Sequence, residues 1–165
     1  MSDQAVSPAR PAPVRIEHEG PVSRLTLARP DQRNALDPEM IDAVSTALAA
    51  VGRRSATRVV VLAADGRVFC AGADISYMRA MAEAGRESNL ADARRLAALY
   101  GALRECPKPV VARVHGAALG GGLGLVAASD IAVAAEDTVF GFTEARLGIL
   151  PAVISPFVVP RIGPA

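Results

Sequence analysis

Two glycine-bearing segments of the sequence have the composition of loops that could stabilise a negatively charged reaction intermediate. FCAGADI covers residues 69–75 and HGAALGGGLG covers residues 115–124. Small residues let a ligand approach the main chain, and a loop that leads into a helix presents free N–H groups. Two such N–H groups from separate loops could bind one developing oxyanion. Close backbone packing or a tight turn is the alternative explanation for these glycines.

A carboxyl group suited to proton transfer lies further along the chain. Glu144 belongs to FGFTEARLGILP, residues 140–151, between a predicted strand and an apolar run that ends in proline. Apolar surroundings disfavour the charged form of a carboxyl group, which suits a general acid or base. Taken alone, Glu144 is also typical of an acidic residue at the start of a helix.

The sequence offers little support for other chemistries. GGGLG lacks the GxGxxG spacing of a dinucleotide-binding loop, and the chain contains neither GxxxxGK[ST] nor GxSxG. Cys70 and Cys106 lie far apart and outside metal-ligand spacing. We therefore predict free thiols, no metal site and no permanently bound cofactor.

Charge and hydropathy argue against two classes of partner. The chain has 18 Lys and Arg against 17 Asp and Glu, which gives no electrostatic basis for binding a nucleic acid or a membrane. Gly, Pro or a charged residue interrupts every apolar run before the roughly 20 residues needed to cross a bilayer. We therefore predict a soluble protein, and the two widely separated free cysteines fit a reducing cytoplasm best.

The pattern along the chain predicts an α/β architecture with parallel strands and right-handed crossovers. The predicted elements are a hairpin of strands at 14–20 and 22–28, a helix at 38–51, a strand at 57–64, a helix at 86–105, a strand at 109–116, a small-residue helix after the glycine run, and strands at 130–135 and 138–142. Asp37 is predicted to cap the first helix and Gly52 to end it. We expect residues 1–13 to be a disordered leader and residues 14–165 to form one core domain.

Four segments resemble, in the same order, the motifs of the enoyl-CoA hydratase/isomerase, or crotonase, family. They are LARPDQRNALDPEM (27–40), RVFCAGADI (67–75), KPVVARVHGAALGGG (108–122) and SDIAVAAEDTVFGFTEARLGILP (129–151). The resemblance extends over about residues 14–163. It implies a crotonase-like (ClpP/crotonase) spiral of ββα units and an acyl-CoA thioester as substrate, so that coenzyme A enters only as part of that substrate.

The same resemblance implies a set of site residues. The N–H groups of Ala73 and Gly121 would form the oxyanion hole, and Glu144 would act as acid and base. The residues implied to bind substrate are Ala73, Asp74, Ile75, Ser76, Gly120 and Gly121. A helix cap is an equally good explanation for Asp74.

The sequence departs from the family pattern at one position. Family hydratases carry two glutamates that together hold and activate water, and the first lies 20 positions before the second. The second corresponds to Glu144, so the first falls at Gly124. A glycine can neither hold a proton nor orient a water molecule.

Three interpretations follow from Gly124. The chain could be a hydratase in which Glu144 acts with a substrate group or a second water. The segment 143–163 favours this, because it is similar to a bacterial branch of the family associated with methylglutaconyl-CoA and related branched, carboxylated thioesters. The chain could instead be a double-bond isomerase, for which one carboxylate suffices, or a catalytically weak thioester-binding or assembly protein.

The resemblance also bears on the end of the sequence. Family members continue beyond this point with helices that cover the acyl pocket and build trimers or hexamers. The resemblance thus implies a homo-oligomer, and we expect a core truncated at its C-terminal end to expose the apolar surface that those helices would cover.

Overall fold

The computed structural model describes residues 12–163, which form one five-stranded sheet, one two-stranded sheet and five α-helices. The strands are β1 (Val14–Glu19), β2 (Val22–Leu27), β3 (Val59–Ala64), β4 (Val110–Val114), β5 (Ala117–Leu119), β6 (Ile131–Ala134) and β7 (Val139–Gly141). The helices are α1 (Pro38–Arg53), α2 (Ile75–Ala82), α3 (Arg86–Arg104), α4 (Gly121–Ala128) and α5 (Ser155–Ile162). Short 3₁₀ segments cover Pro30–Gln32 and Thr143–Leu147.

The larger sheet has the order β1-β2-β3-β4-β6. β1 and β2 form the predicted antiparallel hairpin, and every other neighbouring pair is parallel, as the alternation of strands and helices predicts. β3 lies at the centre, where Val60 and Leu62 are fully buried. The two loops that matter for function therefore follow two adjacent parallel strands, β3 and β4.

Helix α1 begins as predicted but does not end as predicted. The Asp37 side chain accepts a hydrogen bond from the Met40 N–H (2.7 Å), and Pro38 takes the first helical position. The helix continues to Arg53, so the prediction that Gly52 ends it is wrong. Gly52 is buried against the segment after α3, where an added Cβ would lie 3.4 Å from Pro107 Cδ. It serves close packing rather than termination.

The second glycine-bearing segment contains a short strand that the sequence pattern did not predict. β5 pairs in parallel with β7, and the two form the smaller sheet. Three residues are too few to show the alternation of a strand, so the segment resembles a loop in sequence. This second sheet fixes the backbone directly before the three glycines.

Helix α4 begins at those glycines and is buried along nearly its whole length. Its C-terminal end is bound by Arg161 of α5. The Arg161 guanidinium donates to the carbonyls of Ala127 (3.2 Å), Ser129 and Asp130 (3.1 Å). A cation at this end also interacts favourably with the helix dipole. α5 thus holds α4 in place.

Most of the predicted leader, residues 1–13, lies outside the described residues. The structure describes only its last two residues, Ala12 and Pro13. The Pro13 carbonyl accepts a hydrogen bond from the Ala28 N–H (2.8 Å). Backbone pairing at the hairpin thus includes Pro13.

Many large apolar side chains are exposed in the C-terminal part of the described chain. The large apolar side chains exposed there are Ile131, Val133, Val139, Phe140, Phe142, Leu147, Ile149, Leu150, Val159 and Ile162. Leu150 is 83% exposed. A contiguous patch of such side chains marks an interaction surface or an aggregation risk. None of the helices within residues 12–163 combines the length and apolar character needed to traverse a bilayer.

Two glycine-to-alanine changes should affect stability in opposite directions. At Gly101 in α3 an added Cβ meets no other atom within 4 Å, so Gly101→Ala should raise the free energy of unfolding by about 0.5–1 kcal/mol. At Gly122 in α4 an added Cβ would lie 2.6 Å from the Cys70 carbonyl oxygen, so Gly122→Ala should lower the free energy of unfolding by about 1–3 kcal/mol. Urea unfolding measures both, and equal effects would contradict the packing described at α4.

Candidate active site

The two glycine-bearing loops lie against each other along their backbones. The Cys70 N–H donates to the Ala117 carbonyl (3.1 Å), and the Leu119 N–H donates to the Cys70 carbonyl (3.0 Å). Gly72 has a φ of +92°, in the left-handed region that favours glycine. A Cβ added there would lie 2.9 Å from the Leu119 carbonyl oxygen. Bare backbone at Gly72 is therefore what lets the first loop approach the second.

This approach places two free N–H groups close together. A Cβ built on Gly121 would lie 3.8 Å from the Ala73 nitrogen. Within residues 12–163, neither the Ala73 N–H nor the Gly121 N–H donates to the carbonyl of another residue. Gly121 is the first residue of α4, where N–H groups have no partner inside the helix. The two predicted donors therefore lie in one small region of the structure, and their binding of an oxyanion stays a prediction.

Leu36 holds the first of these donors in place. Its N–H donates to the Gly72 carbonyl (2.7 Å), and its carbonyl accepts from the Asp74 N–H (3.1 Å). Through these two bonds, Leu36 pairs with Ala73 in an isolated parallel β-bridge. Ala73 keeps its own N–H free while its backbone is fixed on both sides.

The Glu144 carboxyl group lies directly beside the glycine run. A Cβ added to Gly120 would lie 3.2 Å from Glu144 Oε1 and 3.2 Å from Thr143 Oγ1. Gly120 has a φ of +47°, and its N–H donates to the Gly141 carbonyl (2.9 Å), which ties the run to β7. Any other residue at position 120 would have a strained backbone, and its Cβ would make the Glu144 and Thr143 side chains shift by a few tenths of an ångström.

The structure confirms the helix-start interpretation of Glu144, and its role as an acid or base stays a prediction. Glu144 lies in the first turn of the 3₁₀ segment Thr143–Leu147, as an acidic residue at a helix start would. It is also half-buried, and its Oε2 is buried with no hydrogen-bond partner in the described part of the chain. A buried carboxylate oxygen without a partner is available to accept or deliver a proton at this position.

The segment after Ala73 begins a helix. Asp74 caps α2, because its Oδ1 accepts a hydrogen bond from the Tyr77 N–H (2.8 Å). Ile75 is 56% exposed, and Ser76 is also exposed. The capping interpretation of Asp74 is therefore confirmed, while the binding of substrate by Ala73, Asp74, Ile75 and Ser76 stays a prediction.

Gly124 has no room for a side chain. A Cβ added there would lie 2.6 Å from Ile154 Cγ2, 2.7 Å from Tyr100 Cζ and 2.9 Å from Tyr100 Cε1. Gly124 itself is buried in α4. The position at which the resemblance implies a second glutamate is thus closed by an aromatic ring and a branched side chain.

Asn34 supports the first loop, and the sequence analysis did not single it out. It is fully buried with a φ of +52°. Its side-chain Nδ2 donates to the carbonyls of Asp65 (2.9 Å) and Val68 (3.1 Å), and its Oδ1 accepts from the Arg29 N–H (2.9 Å). Its own carbonyl accepts from the Cys70 thiol (3.1 Å). The only signal was its place in the RNAL segment that carries part of the family resemblance.

The thiol of Cys70 has no catalytic character. Burial raises the pKa of Cys70 to about 12, so the thiol stays protonated and is a poor nucleophile at neutral pH. Both cysteines are free. Across residues 12–163, no group of three or more His, Cys, Asp or Glu side chains is arranged to hold a metal ion.

Replacing the Asn34 amide by a carboxylate should destabilise the site more than the same change elsewhere. In Asn34→Asp, the two donated hydrogen bonds become contacts between a carboxylate oxygen and carbonyl oxygens, which should lower the free energy of unfolding by about 3 kcal/mol. Asn89→Asp is the matched control on the exposed start of α3 and should change it by less than about 0.5 kcal/mol. Thermal or urea unfolding measures both, and an equal loss in the two variants would contradict this role for Asn34.

Comparisons with known proteins agree with this arrangement. The profile of the family described as Enoyl-CoA hydratase/isomerase matches residues 17–165. A putative enoyl-CoA hydratase from Thermus thermophilus is 36% identical over 150 residues, which cover 91% of this chain and 59% of that protein. A Rhodococcus jostii protein named (7aS)-7a-methyl-1,5-dioxo-2,3,5,6,7,7a-hexahydro-1H-indene-carboxyl-CoA hydrolase is 45% identical over 115 residues, which cover 69% of this chain and 42% of that protein.

A solved structure shows the same fold. The putative enoyl-CoA hydratase/isomerase (crotonase) of Legionella pneumophila superposes with a TM-score of 0.90 at 41% identity, over 93% of this chain and 60% of that one. The chain thus spans about 60% or less of the length of these relatives. With the crotonase-like α/β fold, the family motifs in order and two adjacent backbone donors, the chain belongs to the enoyl-CoA hydratase/isomerase family.

Proposed function

We propose that this protein acts on an acyl-CoA thioester by stabilising its enolate. The N–H groups of Ala73 and Gly121 bind the thioester oxygen, and Glu144 transfers the proton. The observation that carries the proposal is the position of Glu144 Oε1, which lies 3.2 Å from where a Cβ on Gly120 would be and so beside the residue that precedes the Gly121 donor. The proposed proton acceptor and the two proposed donors come from three separate segments that meet at the glycine run.

The two backbone donors act where charge develops. When a proton leaves the carbon next to a thioester, or a nucleophile adds to a conjugated enoyl thioester, negative charge moves onto the carbonyl oxygen. Fixed N–H donors stabilise that charge without having to reorganise, and loss of one such donor typically lowers the rate by ~10²–10³. The rigid backbone pairing of the two loops suits this task.

Hydration of a branched or carboxylated 2-enoyl-CoA is the first candidate reaction. The water oxygen bonds to C3 while the C2–C3 π electrons move to the thioester oxygen. The proton that water releases passes to Glu144 and then to C2, which gives the 3-hydroxyacyl thioester. Because Tyr100 and Ile154 close the space beside Gly124, a group of the substrate or a second water must orient the attacking water. A substrate carboxylate could do this.

Isomerisation of a double bond is the second candidate, and the closed space beside Gly124 favours it directly. Glu144 takes a proton from C2 of a 3-enoyl thioester, and the resulting dienolate is held by the two N–H groups. The same carboxyl group returns the proton to C4, which gives the 2-enoyl thioester. This reaction needs one carboxylate and no water.

The remaining expectations about ligand and assembly also stay proposals. Residues 73–76, together with Gly120 and Gly121, would line the thioester site, with coenzyme A present only as part of the substrate. Assembly into a trimer or hexamer is supported by the exposed apolar side chains between Ile131 and Ile162, since such side chains are suited to burial against another chain.

Product analysis separates the candidate reactions. The purified protein is incubated with crotonyl-CoA, with a 3-carboxymethyl-substituted 2-enoyl-CoA and with a 3-enoyl-CoA, and the products are resolved by mass and chromatography. A hydratase forms the 3-hydroxyacyl thioester, faster from the carboxylated substrate. An isomerase forms only the shifted alkene. If neither product forms, a thioester-binding or assembly role is the interpretation that is left.

Glu144→Gln tests the role of the carboxylate in the same assay. We expect turnover to fall by ~10²–10⁴ because the amide cannot accept a proton. Glu136→Gln is the matched control, since Glu136 is exposed in the turn between β6 and β7. Unchanged turnover in Glu144→Gln would contradict both enzymatic candidates.

A further inference from the structure

Tyr100 is a fully buried side chain that contacts the second glycine-bearing loop at Gly121. It lies in the C-terminal half of α3, with 0% of its surface exposed. Its hydroxyl group donates a hydrogen bond to the Gly121 carbonyl at 2.8 Å. The family resemblance assigns no role to this residue, and a tyrosine in an amphipathic helix gives no signal in the sequence.

The hydroxyl group anchors the residue that carries the second donor. A Cβ built on Gly121 would lie 3.1 Å from the Tyr100 oxygen and 3.8 Å from the Ala73 nitrogen. On the other side, the Gly120 N–H is bound to the Gly141 carbonyl at 2.9 Å. The peptide group that carries the Gly121 N–H therefore lies between two hydrogen-bonded anchors, one from β7 and one from α3.

The aromatic ring of Tyr100 is itself held on two sides. It packs on α4 at Gly124, three residues after Gly121 and on the same helix face. The Phe157 ring of α5 packs against it with centroids 5.5 Å apart and an interplanar angle of 60°. The Tyr100 ring thus packs directly on Gly124 and against Phe157, and this packing determines where the hydroxyl group lies.

The Tyr100 hydroxyl group is protonated and acts as a hydrogen-bond donor at neutral pH. Burial raises the pKa of Tyr100 well above its ordinary value, and the nearby Glu144 carboxylate raises it further. The phenol therefore keeps its proton and continues to donate to the Gly121 carbonyl. Because the side chain is fully buried, its effect on the reaction passes through Gly121.

We propose that Tyr100 is a positioning residue of the oxyanion hole, whose ring is seated on Gly124 and whose hydroxyl group keeps the Gly121 N–H aimed at the thioester oxygen. This inference rests on the proposed function. It also gives Gly124 a structural role. The glycine stands where the family pattern has a glutamate, and it provides the space for the Tyr100 ring, whose hydroxyl group positions the Gly121 N–H.

Tyr100→Phe tests the proposal, since it removes the hydroxyl group and keeps the ring. Ser129→Ala is the matched control: Ser129 is also buried, and its Oγ donates to the Leu125 carbonyl of α4 at 2.9 Å, at the helix end away from the donor. With the best substrate of the product analysis, we expect Tyr100→Phe to lower kcat about tenfold with KM within about twofold. Ser129→Ala should leave kcat unchanged, although both variants should lower Tm.

A second readout reports on the oxyanion hole without turnover. Acetoacetyl-CoA is a β-keto thioester whose enolate has its own ultraviolet absorbance, so the enolised fraction of the bound ligand measures the strength of the two donors. The wild-type protein should show the enolate band, and Tyr100→Phe should show a smaller enolised fraction at the same pH and saturation. Ser129→Ala should match the wild type.

The outcomes distinguish the two proposals. Absence of the enolate band in the wild-type protein would argue against the proposed function itself. An enolate band in the wild type with the same enolised fraction and the same kcat in Tyr100→Phe would overturn the positioning role. A lower Tm as the sole effect of Tyr100→Phe, as in Ser129→Ala, would also overturn it, because the hydroxyl group would then contribute to stability alone.

Discussion

The backbone of residues 70–73 lies directly on the backbone of residues 119–122, and the rest of the site depends on that contact. Side chains would prevent it: a Cβ at Gly72 would lie 2.9 Å from the Leu119 carbonyl oxygen, and one at Gly122 would lie 2.6 Å from the Cys70 carbonyl oxygen. Backbone hydrogen bonds between Cys70 and β5 fix the register of the two loops. Two N–H groups from distant parts of the sequence thereby become neighbours in one small volume.

The packing that creates this contact also limits the chemistry. α4 starts at the glycines and is buried on nearly all sides, so the face that carries Gly124 is filled by Tyr100 and Ile154. A second carboxylate at that position would have to displace an aromatic ring from a close-packed interior. The proton transfers we propose therefore fall to Glu144, whose Oε1 lies beside Gly120, 3.2 Å from where a Cβ on that glycine would be. The site combines two backbone donors with one carboxylate.

Local sequence signals predicted most helices and strands. They also predicted the two glycine-bearing loops, because these loops follow predicted strands. Nearby residues predicted strands β3 and β4 and the Asp37 cap of α1. The family resemblance then implied Ala73, Gly121 and Glu144 as site residues, and their roles stay predictions. Gly52 looked like a helix end because its packing partner, Pro107, lies 55 positions away. The roles of Asn34 and Tyr100 could not be read from pattern, because each depends on carbonyl groups that only the folded chain brings within reach.

The central claim is that backbone donors and Glu144 together form a thioester enolate, and proton exchange on a saturated acyl-CoA tests it most directly. Butyryl-CoA has no double bond to hydrate or shift, so the exchange of its C2 protons in D₂O, followed by NMR, reports on enolate formation alone. The account predicts exchange well above the rate in buffer with the wild-type protein and loss of that exchange in Glu144→Gln. Exchange at the buffer rate in the wild type, or equal exchange in both proteins, would contradict it.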